Sequence, residues 1–198
     1  MLVALTPLHA NTTARILVLG DSLSAAYGID KQRGWVALLQ QRLDRLGEGY
    51  AVVNASISGD TTRGGLSRLS AVMQRERPTI VIIQLGANDG LRGFDPELTR
   101  ANLRQMIEQV RAAGAAILLL GVKLPANYGK AYGEKFHHIY LDLAREQQVT
   151  LVPFFLEGVA ETRELMQPDG IHPGVDAQPR ILDNVWTGLE PLLKSRTD

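Results

Sequence analysis

A serine near the front of the chain and a histidine near its far end are the residues most able to do covalent chemistry together. Ser22 follows an apolar run, in Ile16-Leu17-Val18-Leu19-Gly20-Asp21-Ser22-Leu23, and His172 stands in Asp169-Gly170-Ile171-His172-Pro173. A serine hydroxyl is a poor nucleophile until an adjacent imidazole takes its proton. That imidazole must be held in one tautomer, which a carboxylate on its other nitrogen achieves. Asp169 lies three residues before His172, and on a tight turn this spacing lets the carboxylate reach the ring. Gly170 and Pro173 supply the bends. An attacked carbonyl also needs preorganised donors for its developing negative charge. Asn88, in Gly86-Ala87-Asn88-Asp89, offers a side-chain amide. Gly59, in Asn54-Ala55-Ser56-Ile57-Ser58-Gly59-Asp60, offers a backbone N–H that a ligand can approach closely. The Ser22 backbone N–H is the third donor. Asp89 reads as structural, because one orienting acid suffices. Taken singly, each residue has a plainer reading: Ser22 or Ser24 as a helix N-cap, Asp169, Asn88 and Gly59 as turn residues, His172 as a surface histidine. Taken together they predict acyl transfer, with Ser22, Asp169 and His172 catalytic and Ser22, Gly59 and Asn88 as the oxyanion hole.

The elements that must bring these residues together are also visible. Apolar runs occur at Ile16–Leu19, Ala51–Val53, Thr79–Leu85, Ala115–Leu120 and Val149–Val152. Their starts lie 35, 28, 36 and 34 residues apart, the length of one strand–helix–strand unit. Between them lie helix-like segments. Trp35, Val36, Leu38, Leu39, Leu43 and Leu46 fall on one face and end at Gly47. Leu66, Leu69 and Met73 mark a second helix, stopped by Pro78. Asp95-Pro96-Glu97 opens a third that Gly114 ends. A fourth lies within 132–148, and a fifth carries Ile181, Val185 and Leu189. Such alternation predicts a parallel sheet with right-handed crossovers in a three-layer α/β/α sandwich. Continuous apolar runs predict strands buried on both faces. Ligands of open parallel sheets bind beyond the carboxyl ends of the strands, and there the polar and titratable residues collect.

The totals exclude several classes. The 198 residues carry 21 acids and 21 Lys plus Arg, so no basic excess attracts nucleic acid or an anionic membrane. There is no cysteine, hence no disulfide and no thiolate metal site. The four histidines include no H-E-x-x-H pair, and the adjacent His137 and His138 point to different sides of a helix, which argues against a metal-dependent hydrolase. No phosphate-cradling glycine loop with lysine is present, and the first strand ends in one acid plus a serine, which argues against a binding or receiver-like module of the same fold.

Gly20-Asp21-Ser22-Leu23, Gly59, Gly86-Ala87-Asn88-Asp89 and Asp169-Gly170-Ile171-His172 resemble, in order, the four blocks of the SGNH, or GDSL, hydrolases. The stretches 54–61, 124–129 and 169–173 are similar in particular to the bacterial thioesterase, arylesterase and lysophospholipase branch. The resemblance implies a flavodoxin-like five-stranded sheet in the order 2-1-3-4-5 and a serine hydrolase acting on acyl esters and thioesters without a cofactor or metal. By position it makes Ser22 the nucleophile, Asp169 and His172 its partners, and Ser22, Gly59 and Asn88 the oxyanion donors. A carbohydrate acetylesterase of the same family is the alternative that only the loop motifs disfavour.

Acyl contacts must come from the crevice walls. The stretch 124–133, with Leu124, Pro125 and Tyr128, is the expected wall, joined by Ile171; Leu91, Phe94, Phe154 and Phe155 are further apolar candidates, the last two favoured as ordinary packing. Residues 1–10 are apolar at Leu2-Val3-Ala4-Leu5 and Leu8 and lack Lys or Arg, and Ala10 suits a cleavage point. They read as a truncated export signal before a single hydrolase domain over 11–198, which predicts a periplasmic or secreted protein. The segment is too short to span a membrane. A monomer is the default for a chain without excess charge.

Overall fold

The computed structural model describes residues 14–194, so the presumed export segment lies outside the described residues. Strands β1 (Ala14–Gly20), β2 (Tyr50–Asn54), β3 (Ile80–Gln84), β4 (Ala116–Leu120) and β5 (Thr150–Val152) form one sheet in the order β2-β1-β3-β4-β5. Every pairing is parallel, with Ile16 opposite both Val52 and Ile80, Ile80 opposite Ala116, and Leu118 opposite Thr150. Helices α1 (Trp35–Leu46), α2 (Thr62–Glu76), α3 (Ala87–Leu91), α4 (Pro96–Ala112), α5 (Lys130–Gln147) and α6 (Gln178–Lys194) alternate with the strands. Helices α1 and α6 pack on each other and on one face, while α2, α4 and α5 cover the other. Among the described residues no helix is long and apolar enough to cross a membrane.

The local chemistry explains the boundaries. Helix α1 ends where Gly47 takes a left-handed turn and its N–H caps Asp44 O. Thr61 caps α2, its hydroxyl accepting from Gly64 N. Asp95 caps α4 by accepting from Glu97 N at 3.0 Å, with Pro96 in the first turn. Ile181, Val185 and Leu189 of α6 are fully buried.

Two expectations need correction. Burial on both faces holds for the inner strands β1, β3 and β4, but β2 and β5 are half-buried because they are the sheet edges. Helix α5 starts at Lys130, so the last part of the expected 124–133 loop is already helical. The residues after β3 form the short helix α3, which carries Asn88. Its N-cap is Gly86, whose φ of +115° and approach to the Tyr140 hydroxyl leave no room for a Cβ.

Candidate active site

Strand β1 delivers the serine. After Gly20 the chain turns sharply, the Asp21 carbonyl accepting from Ser24 N at 3.2 Å and Ala25 N at 2.9 Å. The Asp21 side chain folds inward, is fully buried, and accepts from Leu23 N at 3.0 Å. Ser22, between the buried Asp21 and Leu23, stays half-exposed. Its Oγ lies 2.9 Å from His172 Nε2, a residue 150 positions later. His172 Nδ1 lies 2.7 Å from Asp169 Oδ2. The other carboxylate oxygen, Oδ1, accepts from Ile171 N at 2.9 Å and His172 N at 3.0 Å. The backbone N–H groups of His172 and Ile171, followed by the His172 ring, hold the Asp169 carboxyl at about 2, below its usual 3.8. An ionised carboxylate only accepts, so Nδ1 carries the proton and the Nε2 lone pair of the neutral ring faces the Ser22 hydroxyl.

Asn88 joins the remaining predicted donors. Its amide nitrogen donates to Asp60 O at 3.0 Å and lies 3.4 Å from Asp21 Oδ2. It therefore touches the immediate neighbour of Ser22 and the immediate neighbour of Gly59. Gly59 has a φ of +78°, open to glycine. The backbone N–H groups of Ser22 and Gly59 donate to no group among the described residues. Asp60 is fixed by Arg68, whose Nε and Nη2 lie 2.9 and 2.8 Å from its Oδ2 and whose Nη1 donates to Ala55 O. Asp89 accepts from Thr62 N at 2.9 Å and from the Thr62 hydroxyl, so it caps α2 and plays the structural part expected of it.

Beside the serine, a cavity of about 470 Å³ opens toward β4 and β5. Leu124, Pro125 and Ile171 line it, together with Leu91, Phe154 and Phe155. Both phenylalanines are buried, so they serve core packing and the cavity floor at once. Two expected contacts do not reach it. Tyr128 sits in the 3-10 turn Ala126–Tyr128, and Phe94 lies 43% exposed on the rim.

Other residues at the site carry no sequence signal of their own. The Tyr27 ring packs on His172 at a tilt of 38°, with centroids 4.5 Å apart. Gln167 donates from Nε2 to Tyr27 O at 2.8 Å and Pro173 O at 3.0 Å, and from its backbone N to His172 O at 2.7 Å. It clasps the serine loop to the histidine loop. Tyr132 donates to Phe94 O at 2.8 Å and reaches Gly90 O at 3.4 Å, tying α5 to the loop after α3. Burial pushes the Asp21 carboxyl up from 3.8 to about 6, against the opposing pull of Leu23 N–H, the Gln84 amide and His172.

The GDSL-like Lipase/Acylhydrolase family model matches residues 18–178, from β1 to the first residue of α6. The chain is 55% identical over 192 residues to Esterase TesA of Pseudomonas aeruginosa, covering 97% of this chain and 94% of that one. It is 47% identical over 193 residues to Thioesterase 1/protease 1/lysophospholipase L1 of Escherichia coli, covering 98% and 91%. The structure of the psychrotrophic esterase EstA from Pseudoalteromonas, inhibited by monoethylphosphonate, superposes with a TM-score of 0.87 at 40% identity, covering 91% of this chain and 98% of that one. Fold, site geometry and sequence agree: the chain belongs to the GDSL-like lipase/acylhydrolase family.

Proposed function

We propose that the protein is a serine hydrolase cleaving carboxylic esters and thioesters through an acyl-enzyme on Ser22. The observation that carries this is the unbroken path from the Ser22 hydroxyl through His172 to Asp169, at 2.9 and 2.7 Å. Ser22 Oγ attacks the carbonyl carbon while His172 Nε2 takes the hydroxyl proton. Asp169 keeps the ring in the required tautomer and stabilises the imidazolium that forms. The carbonyl oxygen takes the negative charge and is met by Ser22 N–H, Gly59 N–H and the Asn88 amide. His172 returns its proton to the departing alcohol or thiol as the bond to carbon breaks. Water, deprotonated by the same ring, then releases the acid.

The apolar cavity takes the acyl chain, with Leu124, Pro125 and Ile171 as walls. Its volume of about 470 Å³ and apolar floor favour fatty acyl groups over the acetyl group of a carbohydrate ester. The names of the relatives, an esterase and a thioesterase/lysophospholipase, support the same substrate class. Inhibition of EstA by a phosphonate supports the serine route, since phosphorus in that group has the tetrahedral shape of the intermediate. Export to the periplasm and a monomeric state complete the reading, resting on the composition of residues 1–10 and the balanced charge.

A fluorophosphonate probe tests this. It labels Ser22 of the wild type, and Ser22→Ala loses both labelling and hydrolysis of an octanoyl ester. A folded Ser22→Ala protein with wild-type turnover would overturn the proposal.

A further inference from the structure

His172 works from an exposed loop. Its neighbours Gly170 and Ile171 are exposed, yet the His172 side chain is only 18% accessible. Two hydrogen bonds engage its nitrogens, with Asp169 Oδ2 2.7 Å from Nδ1 and Ser22 Oγ 2.9 Å from Nε2. Both meet the ring at its edge. They fix the imidazole within its own plane and leave it able to rock about the line joining the two partners. A contact on the ring face resists that motion. Tyr27 supplies one, its ring tilted 38° to the imidazole with centroids 4.5 Å apart.

The backbone is bent to put Tyr27 there. Ala26 holds a φ of +59°, a left-handed conformation that is costly for a residue with a Cβ, and Gly28 follows at +73°. Such strain persists only where surrounding contacts over-determine it. Here Tyr27 N donates to Ser22 O at 3.2 Å, and Tyr27 O accepts from Gln167 Nε2 at 2.8 Å. A Cβ on Gly28 would lie 2.2 Å from Gln167 Oε1, so the turn and the glutamine fit closely. Core packing does not account for the arrangement, since Tyr27 is 51% exposed. A strained turn, anchored to the nucleophile at one end and to the histidine loop at the other, thus lays an exposed aromatic ring on the base.

We propose that Tyr27 is a positioning residue for His172, its ring face holding the imidazole in line and stabilising the imidazolium that forms as Ser22 loses its proton. This rests on the hydrolase reading above. An aromatic face presents the negative end of the ring quadrupole and attracts a cation within about 6 Å of the centroid. Starting from the neutral ring, the charge on His172 arises only as the reaction proceeds, so the attraction lowers the barrier without stabilising the resting state. Asp169, in contact, and Asp21, through space, act on the same charge. Tyr27 acts on the face of the ring where Asp169 acts on its edge.

Three replacements test it. Tyr27→Leu keeps apolar bulk and removes the π face. Tyr27→Phe keeps the face and removes the hydroxyl. Pentafluorophenylalanine at position 27 keeps the shape of a ring and reverses its quadrupole. Hydrolysis of an octanoyl ester as a function of pH reads all three. Cation–π contacts at exposed sites are worth roughly 2- to 5-fold. Tyr27→Leu and the fluorinated ring therefore lower kcat by about 2- to 5-fold with KM near wild type. They also move the acid limb of kcat/KM to lower pH by about 0.4 to 0.7, because an unsupported imidazolium gives up its proton sooner. Tyr27→Phe matches the wild type in both. Every variant keeps Asp169 and Asp21, so a shift of the limb belongs to the ring at position 27. The fluorinated ring also fills the space of the native one, which separates its electrostatics from its packing. Wild-type kcat and a wild-type acid limb in the fluorinated protein overturn the proposal, as does a Tyr27→Phe protein that behaves like Tyr27→Leu. Failure of the hydrolase reading would show differently, as octanoyl ester turnover surviving in Ser22→Ala.

Discussion

Replacing Asp21 by Asn separates the energetics of burying a carboxylate from its place beside the serine. Asp21 is fully buried, and its carboxyl titrates at about 6 instead of 3.8. The folded protein therefore holds this proton more tightly than the unfolded chain does. Stability falls as pH rises between these two values and is flat above them. The displacement corresponds to about 3 kcal/mol. In Asp21→Asn the titration is gone, so the variant gains on the wild type as pH rises. We expect the stability difference, variant minus wild type, to widen by roughly 2 kcal/mol between about pH 4 and about pH 7, most of it below pH 6.5. Urea unfolding at fixed ionic strength across that range measures it. The comparison is read against pH, so a constant offset from the altered contact with Asn88 drops out. His172 and Asp60, the titratable neighbours of this carboxyl, are present in both proteins. A difference that does not change with pH would refute the assignment of the buried proton to Asp21.

Other outcomes follow from the same geometry. Asp169→Asn leaves KM near wild type and lowers kcat about 10⁴-fold, because an amide in place of the carboxylate favours the wrong tautomer; steady-state kinetics on an octanoyl ester reads this. The Asp169 carboxyl is lowered to about 2, so its contribution to stability is complete above its ordinary 3.8 and is lost only as pH falls through about 2. Asn88→Ala costs about 10²- to 10³-fold in kcat, measured in the same assay with labelling of Ser22 retained. Gly86→Ala forces a side chain onto a φ of +115° and into the Tyr140 hydroxyl, and lowers stability by at least about 2 kcal/mol in urea unfolding. Leu124→Trp adds bulk to the wall of the apolar cavity and shifts the preferred acyl length downward across a series of chain lengths, while short esters turn over as before.

The frame of the fold was legible because it rests on local rules. An apolar run ended by Gly20-Asp21-Ser22 is readable as a strand handing a serine to the sheet rim, and the helix stops at Gly47 and Pro78 announce themselves. The half-burial of β2 and β5 was not readable, since an edge strand and an inner strand carry the same apolar letters. The site splits in the same way. Ser22, Gly59, Asn88, Asp169 and His172 stand in short blocks whose spacing implies chemistry. Tyr27, Gln167, Tyr132 and Gln84 do not. Their contacts span from a few to about 140 residues of sequence and depend on where loops finally lie, as with Gln167 and Tyr27. Tyr128 stands in the same stretch as Leu124 and Pro125 but outside the cavity lining, a distinction its letters do not carry.

The Gln167 clasp and the Tyr132 tether divide the rim into two sets of loops. Gln167 joins the segment carrying the nucleophile to the segment carrying the base, so thermal motion displaces both together and leaves their separation intact. Tyr132 joins the segments around Gly90 and Phe94 to α5, on the acyl side. Chemistry and chain recognition thus sit on separately braced scaffolding. Mutations accumulating in the second scaffold can retune which acyl group is accepted without disturbing proton transfer, the layout expected in a family whose members carry such varied names.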